Sequence, residues 1–316
     1  DTFETMRWSD FYVKQTADID MKEAEPIAPI GIGTNGFMGH YNGDGHVIKN
    51  LSFSDCKGSS LGLFNNIIGT VERLGIETST FTASLDNNRV GAFAGKIIGS
   101  GQLLNCYALG CTVSYNYKSG VVVGALVGEL ADQSSIQSSY GYLNTVIGQI
   151  EGGNKRYGYI VGYIGSNASA TLVFTNGPTL CADAQSGYNN IIQSETNVAE
   201  LRFKTGELAH QLDGSPVYDG TAGCGTTVWR QTIKTDLWPI PGSSHGAVYK
   251  LTHTIPANDL GQLAVTQTMY SNNYLIPEPA TLTLNPNYKD HQNQDIPSNV
   301  LSLIPADNNC YVPSYN

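Results

Sequence analysis

Short apolar runs, each broken by Gly, Asn or Ser, set the pattern of the first half of the chain. Leu61-Gly62-Leu63-Phe64 is followed by Val90-Gly91-Ala92-Phe93-Ala94-Gly95, then by Val123-Gly124-Ala125-Leu126-Val127-Gly128 and Val161-Gly162-Tyr163-Ile164-Gly165. Read this way, the leading glycines Gly62, Gly91, Gly124 and Gly162 are 29, 33 and 38 residues apart, with Gly95, Gly128 and Gly165 closing the later blocks. A second apolar run follows each block: Val71 to Ile76, Leu103 to Tyr107, Ile136 to Tyr140, Leu172 to Phe174. A third short run often follows, as in Cys111-Thr112-Val113-Ser114 and Thr145-Val146-Ile147. Runs of three to six residues rich in β-branched and aromatic side chains, bounded by turn residues, predict strands. One such unit cannot bury its apolar face alone, but stacked units form continuous inward ladders. The predicted architecture is therefore all-β, a right-handed parallel β-helix or solenoid. A β-sandwich with coincidental glycines is the competing fold, and four recurrences weigh against it.

The flanks have a different texture. Residues 1–60 form a lead-in and N-terminal cap in which Thr16-Ala17-Asp18-Ile19-Asp20 alternates as a strand. The stretch Phe37 to Leu51 reads as strand, tight turn and strand, with Asn42-Gly43-Asp44-Gly45 at the turn. Residues 61–192 are the repeats. Residues 193–250 make a C-terminal cap containing one helix over Ser194 to Leu212, with Val198, Leu201, Leu208 and Leu212 on its apolar stripe. Ser194 or Asn197 is placed to cap that helix, and Gly206 is a point where it can split in two. Residues 251–316 carry many prolines and read as a small β module or an assembly tail, with Leu263 to Thr266 and Ala280 to Leu284 as strands. The stretch Tyr311 to Tyr315 is placed to pair with the edge of a neighbouring subunit.

The segments Thr16-Ala17-Asp18-Ile19-Asp20 and Phe37 to Leu51 resemble the lead-in of GLUG-repeat proteins, and Val123 to Tyr140 resembles a full repeat of that family. Val90 to Val113 is nearly as close, whereas the copy at Gly62 has Asn65 in place of the second glycine and the copy at Gly162 lacks the Ser-Tyr element. Gly206-Glu207-Leu208-Ala209, Trp229, Gln231 and Trp238-Pro239 are similar to the segment that closes such arrays in surface proteins of the Bacteroidetes type. The resemblance spans roughly residues 10 to 175 and implies a bacterial cell-surface setting.

Composition narrows the function classes. The net charge is −10, so contacts with nucleic acid or an anionic membrane are disfavoured. Charged residues are 14% of the chain against about a quarter in an average protein, which suits a secreted or surface molecule and not a Lys/Glu-rich disordered one. No run reaches the about 20 apolar residues of a membrane span. Asp1 opens directly into polar sequence, so the chain reads as a mature or trimmed product. The six cysteines (Cys56, Cys106, Cys111, Cys181, Cys224 and Cys310) contain no Cys-x-x-Cys. They can form up to three disulfides in an oxidising compartment; the simpler reading makes most of them small buried apolar side chains.

Candidate chemistry is sparse. His40 and His46 flank Asp44, but local hydrogen bonding explains them more simply than a metal does. Asp18 and Asp20 share a strand face, as a calcium site or an acid–base pair would require, yet they read as part of the lead-in strand. Glu72, Glu77, Asp86, Glu129, Asp132 and Glu151 do not recur in register, so no residue is assigned a catalytic role and no cofactor or metal is expected. The 18 tyrosines are the surplus, and Tyr107, Tyr115, Tyr117, Tyr140 and Tyr142 are the candidate ligand-contact aromatics beside Asn and Ser. Core packing is their competing role. The expected function is non-enzymatic: adhesion or contact with host or environmental glycans or surface proteins. The alternatives are a structural subunit of a surface fibre, associating through the C-terminal region, and a polysaccharide-active β-helix lyase or hydrolase.

Overall fold

The computed structural model describes residues 11–31, 35–54, 59–83, 89–115, 121–131, 133–148, 156–184, 191–216, 225–255, 265–272, 301–306 and 310–315. The chain forms two units, Asp1–Glu200 with Ile240–Gly242, and Leu201–Pro239 with Ser243–Asn316.

The first unit is a parallel β-solenoid. One coil runs through Thr70–Glu72, Gly75–Glu77, Thr80–Ala83, Arg89–Val90 and Ala94–Ile97 before the next begins at Gln102. Among the described residues, stacking these coils builds a broad wall of eleven strands, two walls of four strands and one of five. Inward side chains sit in register from coil to coil. On the broad wall the ladder runs Tyr41, Val71, Leu103, Ile136 and Ala170. On the Thr80 wall it runs Phe53, Phe81, Val113 and Val146. The Phe53 and Phe81 rings stack at 5.7 Å. Burial of such ladders is the main driving force, each large side chain contributing about 1.5–3 kcal/mol.

Two corners per coil take the left-handed backbone conformation. Arg73, Asn105, Ser138 and Leu172 occupy one stack at φ of 52, 53, 49 and 53°. Asn50, Thr78, Gly110 and Leu143 occupy the other at 59, 47, 60 and 54°. The next residue in each case is buried, and where it is polar it hooks the coil before it. Ser79 Oγ accepts the Leu51 N–H at 3.0 Å, Ser139 Oγ the Cys106 N–H at 3.1 Å and Asn144 Oδ1 the Cys111 N–H at 2.9 Å. Ser194 Oγ accepts the Val173 N–H at 3.1 Å at the end of the array. These bonds satisfy buried backbone donors that the sheet ladders do not reach.

The glycine blocks form a seam where two walls approach through their backbones. A Cβ at Gly91 would lie 2.6 Å from Leu126 O and Val127 Cα, and one at Gly95 would lie 2.6 Å from Leu61 N and Ser60 Cα. Gly62 and Gly128 are equally crowded. The fourth block is displaced from the sequence reading. Gly158 stands opposite Gly124 and Val161 opposite Val127, so Gly162 falls opposite Gly128 and takes the second-glycine role. The leading spacing becomes 29, 33 and 34 residues. Gly165 lies beyond the strand, its N–H donating to Leu130 O at 2.8 Å.

The lead-in also differs from expectation. His40–Asn42 and Val47–Lys49 do not pair as a hairpin; both lie parallel in the broad wall, against Thr70–Glu72 and Gly75–Glu77. Asn42 to His46 is thus another solenoid corner, with Asp44 at φ 50° and Gly45 at φ 89°. Tyr12–Lys14 and Ile19–Asp20 continue the same wall.

In the second unit, the predicted single helix is two short ones, α1 (Glu200–Lys204) and α2 (Glu207–Leu212), parted at Gly206, whose φ of 85° suits glycine. Ser194 and Asn197 do not cap α1: Ser194 serves the solenoid corner, and the Asn197 N–H donates to Gly177 O. Phe203, Leu208, Ala209, Leu212 and Trp229 are buried. The Asp213 carboxylate gathers the N–H groups of Thr227, Val228 and Trp229. The described residues of this unit also form two antiparallel ribbons, Tyr249–Ile255 with Val265–Ser271 and Leu301–Ala306 with Cys310–Tyr315. The Tyr311 to Tyr315 stretch therefore pairs within its own chain along one edge. The predicted strand at Ala280 to Leu284 lies outside the described residues.

Candidate functional site

Outward positions of the broad wall bring together chemistry far apart in sequence. Tyr12, His40, Thr70, Gln102 and Ser135 form one register column, and Lys14, Asn42, Glu72, Leu104 and Gln137 another. His40 Nε2 lies 2.9 Å from Glu72 Oε1. The Tyr12 ring meets the His40 imidazole edge-on at 4.8 Å. Asn42 Nδ2 donates to the Tyr12 hydroxyl at 3.1 Å, while Asn42 Oδ1 accepts the Asp44 N–H at 2.8 Å. Lys14 pairs with Asp44 at 2.9 Å, and that bond holds the Asp44 carboxyl below its ordinary range. Tyr12 is 60% exposed, and the Glu72 side chain is mostly buried, held against His40. The cluster offers an exposed aromatic ring, an imidazole–carboxylate pair and a fixed amide on a rigid sheet. Such a set can contact a sugar by ring stacking and planar hydrogen bonds.

Of the aromatics singled out in the sequence, Tyr107, Tyr115, Tyr140 and Tyr142 are all buried, and Tyr117 lies outside the described residues. Tyr107 and Tyr140 stack nearly parallel at 5.1 Å. The Tyr107 ring lies over Gly75, where a Cβ would come within 2.5 Å of it, and its hydroxyl donates to Glu77 Oε1 at 2.8 Å. These four side chains are packing elements, which corrects their assignment as ligand contacts. Sequence reading weighed His40 and Glu72 separately and missed Tyr12, because residues 12, 40 and 72 come together only through the coil register.

The other candidates resolve into local bonds. His46 Nδ1 faces Asp18 Oδ1 at 3.1 Å, and Asp18 also accepts the Val47 N–H. Asp20 accepts from Asn50 Nδ2 at 2.7 Å and from the Lys22 N–H, which lowers its carboxyl pKa. Among the described residues no group of three His, Cys, Asp or Glu side chains is arranged to hold a metal. Cys106, Cys111 and Cys181 are buried, and burial pushes the Cys111 thiol up to about 12.

Glu129 is the most buried carboxylate of the glycine seam, bonded by Arg89 and by Lys96 at 2.7 Å. Burial alone would raise its pKa; the bonds from Lys96 and Arg89 outweigh it and hold the carboxyl below the ordinary glutamate value. A depressed folded pKa contributes stability that is present above the unfolded value and is lost as pH falls through the folded one. Glu129→Gln is expected to cost about 1–3 kcal/mol near neutral pH. The deficit relative to wild type should shrink as pH drops below about 4.3. Thermal melts of both proteins across that range check it, and a deficit independent of pH would contradict it.

Among the described residues no helix is long and apolar enough to cross a membrane. No family model matches the chain. Over 143 residues the chain is 32% identical to halomucin of Haloquadratum walsbyi, a match covering 41% of this chain and 2% of that protein. A solved structure from Bacteroides ovatus, provisionally assigned as an immunoglobulin A1 protease, is similar at a TM-score of 0.35 and 15% identity, over 72% of this chain and 84% of that one.

Proposed function

We propose that this chain is a non-enzymatic extracellular or cell-surface module that contacts glycans through the broad wall around Tyr12, His40 and Glu72. The observation that carries the reading is an exposed aromatic ring fixed beside an imidazole–carboxylate pair and an oriented amide. The resemblance to GLUG-repeat surface proteins and the similarity to halomucin support the extracellular setting. A net charge of −10 favours neutral over acidic glycans.

One observation favours a second reading. A histidine bonded to a carboxylate on an open sheet face is a ready proton-transfer pair, so a polysaccharide-active enzyme is the alternative.

A glycan array spanning host mucin sugars and plant and microbial polysaccharides tests the first reading. A saturable hit is expected, weakened about fivefold or more by Tyr12→Ala, as loss of about 1 kcal/mol of aromatic contact implies. The melting temperature should be unchanged because the ring is largely exposed. A blank array would overturn the glycan reading. Cleavage of the bound sugar, lost in His40→Ala, would favour the enzyme.

A further inference from the structure

The wall formed by Ser52–Ser54, Thr80–Ala83, Thr112–Tyr115 and Thr145–Gly148 has an outer face unlike the rest of the solenoid. Its outward residues fall in two register columns, Ser52, Thr80, Thr112, Thr145 and Ser54, Thr82, Ser114, Ile147. Seven of these eight positions are hydroxyl residues, and none is charged, aromatic or an amide. Between the columns, Phe53, Phe81 and Val113 are buried and fix the sheet from within. Ser52, Ser54, Thr80 and Thr145 are exposed, and Thr82, Thr112 and Ser114 are half-buried. Thr82 Oγ1 and Ser114 Oγ lie 3.0 Å apart, so neighbouring rungs present their hydroxyls in line.

Parallel strand geometry sets the grid: rungs repeat at about 4.8 Å, and residues two apart on a strand at about 6.6 Å. Threonine is stiff at χ1, so its hydroxyl and methyl are held in place before any partner arrives. A single hydroxyl exchanging water for a ligand gains almost nothing net. A soluble sugar, with no ring to stack on here, has little reason to bind. The face gains only from a partner that is uncharged, forms hydrogen bonds and is itself periodic, so that many hydroxyls engage at once. Water ordered as a solid has all three properties.

We propose that this hydroxyl wall binds ice. The site is separate from the Tyr12 face, takes a different ligand, and does not depend on the glycan reading.

The full chain is assayed for inhibition of ice recrystallisation and for shaping of single ice crystals. Wild type is expected to arrest recrystallisation, and Thr80→Lys with Thr112→Lys to abolish it. Gln102→Lys, on the broad wall, and Tyr12→Ala should retain it. Circular dichroism verifies that each variant is folded, and Thr145→Lys replaces the double variant if that fails to fold. The proposal is overturned if wild type acts no better than an equal mass of an unrelated protein. It is equally overturned if the wall variants and Gln102→Lys behave alike, or if the wall holds an insoluble polysaccharide and not ice.

Discussion

Gly124→Ala is expected to destabilise the solenoid by about 3 kcal/mol or more, at or beyond the upper end of ordinary overpacking. A Cβ there would lie 2.7 Å from Gly162 N and closer still to the Val127 carbonyl oxygen. Both obstacles are backbone atoms of the seam, so no side-chain rotation makes room. For a unit of about 200 residues, the size of the solenoid, the loss corresponds to a fall in melting temperature of about 6–12 °C. Gly110 supplies the contrast. Its φ of 60° is left-handed, but nothing lies within 4 Å of a Cβ built on it. Leu143, Thr78 and Asn50 hold the equivalent corner in other coils, so Gly110→Asn should cost well under about 1 kcal/mol. Parallel melts of the two variants separate steric exclusion from backbone conformation. Equal losses would refute the seam as the reason for the glycine blocks.

Asn144→Leu should be nearly as damaging. Asn144 is 8% exposed and joins two coils: its Oδ1 accepts the Cys111 N–H at 2.9 Å and its Nδ2 donates to Ala108 O at 2.9 Å. Leucine is similar in volume, leaves the buried Cys111 N–H without its acceptor and takes one bond from Ala108 O. At about 1–3 kcal/mol for the orphaned donor and about 1 kcal/mol for the other lost bond, the expected cost is about 2–4 kcal/mol. Amide exchange would also reveal it locally, with the Cys111 N–H losing protection before the Phe81 ladder does. A variant with wild-type stability and wild-type exchange at Cys111 would show that the hook is dispensable.

The fold was legible in the sequence wherever a residue type had no substitute. Only glycine tolerates the wall-to-wall approach at Gly62, Gly91, Gly95 and Gly124, and Phe81, Val113 and Val146 alternate visibly with Thr and Ser. The fourth block misled because Val161-Gly162 repeats the dipeptide Val123-Gly124, although Gly158 carries the contact. The lead-in misled because Asn42 to Gly45 has hairpin-turn chemistry, while parallel pairing with the next coil decides its path. The corner residues Arg73 and Leu172 carry no positive-φ signature at all; packing of the following residue imposes their conformation. Tyrosines beside Ser and Asn look like a groove in one dimension, yet Tyr107 and Tyr140 are spent on each other and on Gly75 and Glu77. Tyr12 stands alone in the sequence and gains meaning only through a histidine 28 residues later.

The corner hooks give the solenoid a direction. In every hook the acceptor side chain belongs to the later coil and the satisfied N–H to the earlier one: Ser79 for Leu51, Ser139 for Cys106, Asn144 for Cys111, Ser194 for Val173. During synthesis a newly emerged coil therefore keeps unsatisfied corner donors until roughly thirty further residues have followed it. Growth proceeds like a zip whose last tooth always lags, and a ribosome pausing between coils would hold the chain in that half-latched state. Ser194 is the tooth that closes the final coil, so a chain truncated just before it would end with the Val173 N–H unlatched.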